Sequence, residues 1–129
     1  MKKFIPSVKT LKQTLSVQTH SHDYSRIMEF IIENVKDMKG VTWSKDKHDN
    51  FYMTKGRIKP SESYPCVVAH HDTVHKVVKG EYRIHTSSGW LYAFDHNDMK
   101  QCGTGGDDLV GVWCALELLK HHDVIKIAL

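Results

Sequence analysis

The sequence predicts an α/β fold, a layered mixed sheet with flanking helices, on three observations. Apolar residues at Tyr24, Ile27, Met28, Ile31, Ile32, Val35 and Met38 alternate spacings of three and four, which marks one face of an amphipathic helix. Residues 65–69 form a short, fully apolar run of the kind that makes a strand buried on both faces, and a second such strand begins at 124–129. Helix, strands, helix and strand in that order place helices against a sheet.

The remaining elements follow in chain order. A short helix is expected over 7–15. Asp23 can cap the start of the amphipathic helix and Gly40 follows its end. Residues 41–45 and 51–54 are two strand-like runs separated by the turn-prone Lys47-His48-Asp49-Asn50, and 55–63 is a polar loop with Gly56 and Pro60. Residues 81–85 and 90–94 look like a hairpin around Ser87-Ser88-Gly89. The turn Gly103-Thr104-Gly105-Gly106 then leads into a helix over about 107–120, with Val112, Trp113, Leu116 and Leu119 on its apolar side.

Composition narrows the function classes. A chain of 129 residues is one domain or less of a larger enzyme, and 40% hydrophobic with 26% charged residues predicts a folded chain. The net charge of +3 is spread among interleaved signs, as in Lys45-Asp46-Lys47-His48-Asp49, which is a solvated surface and argues against nucleic-acid binding. The basic start is broken by Pro6 and Lys9, so no signal peptide is expected, and no apolar run approaches membrane-spanning length. Cys66, Cys102 and Cys114 make an odd set without a CxxC pair. That suits a reducing cytoplasm and argues against a disulfide scaffold or a zinc ribbon. The apolar stretch ending at Leu129 resembles a strand cut short rather than a surface tail.

Ten histidines are many for this length, and histidine is the commonest metal ligand. His20, His22, His48, His85, His96, His121 and His122 occupy polar, turn-like or helix-end contexts and are expected to be solvated. His70-His71-Asp72 is different, because it closes the apolar 65–69 run. Alternation along a strand points His70 and Asp72 the same way and His71 the other. A metal-binding imidazole usually donates its other ring nitrogen to a carboxylate or carbonyl, so an HxD at a strand exit offers a ligand and its orienting partner. A solvated pair beside a turn would look the same.

The second candidate is Gly103-Thr104-Gly105-Gly106-Asp107-Asp108. Glycines let the turn adopt geometry closed to other residues, and a helix start stabilises an ionised carboxylate whose two oxygens can bridge two cations. The competing reading is an ordinary helix cap at Asp107. A phosphate loop fits poorly, since no GK[ST] follows and two carboxylates would repel phosphate.

Taken together, these segments resemble the peptidase T-like zinc aminopeptidases and their carboxypeptidase and aminoacylase relatives. Val67-Val68-Ala69-His70-His71-Asp72-Thr73-Val74-His75 resembles their HxDTV signature, and Gly105-Gly106-Asp107-Asp108-Leu109-Val110-Gly111 resembles their GxDDKxG segment. The stretch 49–56 is similar to the strand before the first motif, and 115–119 to the helix after the second. The resemblance implies that His70 ligates one zinc and that Asp107 bridges both. Asp72 would be the catalytic-site carboxylate that clamps a ligand imidazole, and Asp108 would support the turn. Leu109 departs from the pattern by replacing a lysine that is not a ligand; His71 and His75 map to no ligand position.

The implied reaction is metal-dependent hydrolysis of short peptides, with zinc as cofactor (two per complete site) and cobalt or manganese as alternatives. Residues 1–129 would be the N-terminal part of a single catalytic domain. The family's general-base glutamate and its later carboxylate and histidine ligands have no counterpart here, and neither Glu117 nor Glu81 substitutes for the base. The chain is therefore expected to bind zinc weakly and to be inactive alone, either as a truncated form or as one piece completed by a second polypeptide. Rival readings are a non-catalytic binding or assembly module on a decayed peptidase fold, a nucleic-acid binder, and a cysteine nucleophile at Cys66 or Cys102 working with His70.

Overall fold

The computed structural model describes residues 5–129, so the basic start at 1–4 lies outside the described residues. Ser7 caps α1 (Val8–Leu15) by accepting the Thr10 N–H at 3.3 Å. The next helix, α2 (Ser25–Val35), buries Ile27, Met28, Ile31 and Val35, the stripe expected from spacing. Its cap residue is Tyr24 rather than Asp23, and no side chain caps it. Asp23 is drawn instead to Arg26 at 2.7 Å and to the Ser25 hydroxyl at 3.2 Å. The helix also stops short of Met38, whose N–H turns back to the Val35 carbonyl at 3.0 Å.

The main sheet has four strands: β1 (Val41–Lys45), β2 (Phe51–Lys55), β3 (Cys66–Val68) and, at the chain's end, β7 (Ile125–Ala128). Its spatial order is β1-β2-β7-β3, with β2 antiparallel to both β1 and β7, and β3 parallel to β7. Phe51, Met53, Ile125 and Ile127 share one face and are buried, together with the helix residues Ile27, Ile31, Val112, Leu116 and Leu119. Each such side chain contributes about 1.5–3 kcal/mol of burial. The mixed sheet with flanking helices is the fold class the sequence predicts.

Burial on both strand faces is not what the structure has. Cys66 is exposed and Val68 is 74% exposed, and so is Lys126, the partner of Cys66 on the interior strand β7. A strand is buried on both sides only where a layer covers each side, and the buried residues of this sheet lie on one face.

Between β3 and β7 the chain makes a second sheet from β4 (Tyr82–Ser87), β5 (Trp90–Asp95) and β6 (Lys100–Cys102). The β4–β5 hairpin closes through Ser88-Gly89, both at positive φ (49° and 82°), as a two-residue turn requires. β6 was not expected: three residues, Lys100-Gln101-Cys102, are too few to show alternation. The last helix, α3 (Gly106–His121), buries Val112, Leu116 and Leu119, and Trp113 donates to the Thr10 hydroxyl at 2.9 Å, docking α3 on α1. The three cysteines are unbridged. Among the described residues, no helix is long and apolar enough to cross a membrane.

Candidate metal centre

The parallel pair β3/β7 ends where the first motif begins. The Ala69 N–H continues the ladder to the Ala128 carbonyl at 3.1 Å, and His70 follows at the strands' carboxyl ends, the usual ligand position in α/β sheets. A groove of about 320 Å³ opens here, bordered by Tyr24, His48, Tyr52, His70 and Asp72.

The second motif arrives from α3. Asp107 (φ −96°, ψ 102°) and Asp108 (φ −121°, ψ 34°) are not helical, and the peptide joining them is cis. Regular helix therefore begins after Asp108, later than expected from the sequence. The capping carboxylate is Asp108, not Asp107: its Oδ1 accepts the Gly111 N–H at 3.0 Å. Its Oδ2 accepts the His70 N–H at 3.4 Å, tying the helix start to the strand exit. A Cβ at Gly111 would run into this carboxylate. Gly105, at φ 66°, makes the turn itself, packed between the Thr73 methyl and the buried Leu109. Leu109, which departs from the sequence pattern, fills the core beneath the turn.

Asp107 is thus left outside the helix, with its side chain 95% exposed and one oxygen 3.0 Å from His70 Nε2. On the other side of the ring, His70 Nδ1 lies 3.1 Å from the Asp72 carbonyl oxygen and 3.2 Å from Asp72 Oδ1. Both are acceptors only, so Nδ1 carries the hydrogen and donates it. In the neutral imidazole Nε2 then has a lone pair, which faces a carboxylate oxygen. Two acceptors at 3.0 Å need a positive charge between them: either a proton or a metal ion.

The surroundings favour charge at this point. Partial burial pulls the His70 imidazole down, but its bonds to Asp107 and Asp72 outweigh this and hold it above the ordinary histidine value. The Ser21 hydroxyl donates to Asp72 Oδ2 at 2.8 Å and is the main cause holding the Asp72 carboxyl below its ordinary value. Ser21 is in turn fixed by its N–H to the Thr73 carbonyl at 3.0 Å. No motif marks Ser21, so sequence reading missed it.

The other candidates separate from this cluster. His71 points away and is buried edge-on against Tyr24 (5.2 Å), its Nδ1 without a partner, and burial holds the ring below its ordinary value. His75 is exposed. The buried Glu117 carboxylate accepts from Thr10 at 3.2 Å and Lys120 at 2.7 Å, so it serves the α1–α3 junction. Burial raises the Cys102 thiol, and Cys66 lies exposed on the open edge of β3.

Among the described residues no group of three or more His, Cys, Asp or Glu side chains could hold a metal ion. His70 and Asp107 supply one nitrogen and one oxygen donor, a set that suits zinc but fills only part of its shell, since a catalytic zinc takes about three protein ligands plus water.

No family model matches the sequence, and no curated protein matches it. Solved structures do. An aminopeptidase PepT from Bacillus cereus superposes with a TM-score of 0.71 at 18% identity, over 94% of this chain and 34% of its own. A tripeptidase from Staphylococcus aureus gives 0.70 at 17%, again over 94% and 34%. An aminoacylhistidine dipeptidase from Vibrio alginolyticus gives 0.61 at 17%, over 93% and 26%. What is shared is the fold. The chain spans about a third of the length of the first two structures and about a quarter of the third.

Proposed function

We propose that residues 1–129 are the N-terminal part of a single zinc-peptidase catalytic domain whose complete form hydrolyses peptide bonds in short peptides. The observation that carries this reading is the lone-pair confrontation between His70 Nε2 and Asp107 Oδ1 at 3.0 Å, at the carboxyl ends of parallel strands. A divalent cation satisfies both atoms. The fold shared with an aminopeptidase, a tripeptidase and a dipeptidase supports short peptides as the substrate class.

In this reading His70 holds one zinc and Asp107 reaches both. A divalent ion held there would supply Lewis acidity toward a peptide carbonyl and a bound water. The chain's own contribution is positional. Asp72 clamps the His70 ring in one tautomer, Ser21 aims Asp72, and Asp108 fixes the distance between strand exit and helix start. Zinc is the first choice, and cobalt or manganese suits the same donors. The remaining ligands and the general base come from another stretch of chain or a second polypeptide. The prediction is that the 129-residue chain, given zinc or cobalt, turns over no tripeptide. Robust turnover by this chain alone would overturn the assignment as a partial site.

The shortage of donors also favours a second reading, a non-catalytic binding module on the same fold. In that case partner binding survives both a chelator and Asp107→Ala.

A further inference from the structure

We propose that the outer face of the three-stranded sheet docks a proline-rich segment in the polyproline II conformation, with Trp90 as its anchor. This surface is independent of the peptidase reading.

Strand alternation builds the face. Trp90, Tyr92 and Phe94 project from one side of β5, and the cross-strand pairs Ser87↔Trp90, His85↔Tyr92 and Arg83↔Phe94 set their β4 partners beside them. Ile84 and Ala93 take the opposite side and are buried, so the sheet turns its aromatic side outward. His96 follows β5, its N–H bonded to the Glu81 carbonyl at 2.9 Å, and its Nε2 meets that of His85 at 3.0 Å. His85 also stacks on Tyr92 (centroids 5.5 Å, 21°), and Phe94 meets both imidazoles edge-on at 6.3 and 5.1 Å. Sequence context placed the two histidines among the solvated ones; the structure half-buries them in this packing. The rings form a fixed base, and from its hairpin end Trp90 stands out, 77% exposed.

What is left unsatisfied on this face selects the ligand. The two imidazoles bond each other, and the Arg83 guanidinium is turned to the Glu81 carboxylate. Among the described residues, the indole N–H of Trp90 and the hydroxyl of Tyr92 have no hydrogen-bond partner. An indole N–H only donates, so the ligand it suits presents acceptors beside apolar rings. Proline has a carbonyl and no N–H, and a polyproline II helix leaves its carbonyls free of internal bonds. Its rings lie on aromatic surfaces, and its preformed backbone lowers the entropic cost of docking. Single-stranded nucleic acid also stacks on aromatic rings, but its backbone needs cations along the path, and Arg83 is already neutralised.

The experiment titrates decaproline into the full 129-residue chain and follows the assigned indole N–H signals by ¹⁵N NMR. The Trp90 signal is expected to shift and saturate, while those of Trp43 and Trp113 stay in place. Trp90→Ala, checked as folded by its amide spectrum, should weaken binding about tenfold or more. Tyr92→Phe, which keeps the ring and removes the hydroxyl, should weaken it about fivefold. The proposal is overturned by a Trp90 signal that decaproline does not move, or by a Gly-Ser peptide of equal length moving it as far. Tighter binding of oligothymidine or of a cello-oligosaccharide, or undiminished decaproline binding by Trp90→Ala, would overturn it as well.

Discussion

Two regions of this chain bring an imidazole nitrogen to 3.0 Å from another electron-rich atom, and they do so by different means. At the mouth of the main sheet, His70 is held by short-range chemistry: a carboxylate two residues away, a serine behind it, and a helix start delivering Asp107. On the second sheet, His85 and His96 are held by aromatic packing, strand register and the bond between their own Nε2 atoms. One region is a charged arrangement at a parallel strand exit. The other is an aromatic platform on which two imidazoles meet each other. Carboxylates on both sides of the ring favour positive charge at the first region, whereas at the second the two rings satisfy each other.

The largest expected effect separates the frameworks. Phe51 is fully buried, stacks on Trp43 at 5.1 Å, and exchanges backbone bonds with Leu129 at 2.8 and 2.9 Å. Phe51→Ala should cost about 3–5 kcal/mol in urea unfolding, against about 0.5–1.5 kcal/mol for Ile84→Val in the hairpin. A loss below about 1 kcal/mol for Phe51→Ala would mean that its ring is not packed in the core.

Tyr82 joins the two regions, its hydroxyl reaching the Leu15 carbonyl at 3.3 Å and the Gly103 carbonyl at 3.4 Å. Burial pushes it up to about 12 from 10.0. The folded state thus keeps a proton that the unfolded chain releases above pH ~10, so the contribution is complete below pH ~10 and is lost on rising to ~12. Stability should fall across that window, and the fall should flatten in Tyr82→Phe. An unchanged alkaline slope in the variant would refute the link.

The carboxylate relay at the first region carries smaller effects. Gly111→Ala pushes a methyl into Asp108 and removes a helix cap, an expected loss of about 1 kcal/mol, with weaker zinc binding as His70 loses its backbone tie. Ser21→Ala should shift stability least and act on charge. The Asp72 carboxyl, held low chiefly by that hydroxyl, should move up toward its ordinary value in a carboxyl-carbon NMR titration. Stability tied to this depressed carboxyl is present above its unfolded value and disappears as pH falls through the folded one, so the variant should lose less at acid pH.

How far the sequence disclosed this molecule follows the same division. Helical spacing gave α2 and α3, and apolar runs gave β3 and β7, because local periodicity reports which face meets a core. His70 and Asp72 were read together from strand parity; β3 in fact ends at Val68, and the pair is joined beyond it by the contact of His70 Nδ1 with Asp72. Asp107 was legible through its glycine turn, although the capping role fell to Asp108. What escaped depended on partners distant in sequence: the edge position of β3, Ser21 behind Asp72, and the His85–His96 approach, set by a hairpin register that no local pattern encodes.

The most direct test is a zinc titration followed at the two ring nitrogens of His70 by ¹⁵N NMR, on the parent chain and on Asp107→Ala. The account predicts that zinc moves Nε2 while Nδ1 keeps its hydrogen, and that the variant needs roughly tenfold more zinc for the same change. A Nε2 signal indifferent to zinc, or one saturating at the same concentration without Asp107, would show that the two groups do not share an ion.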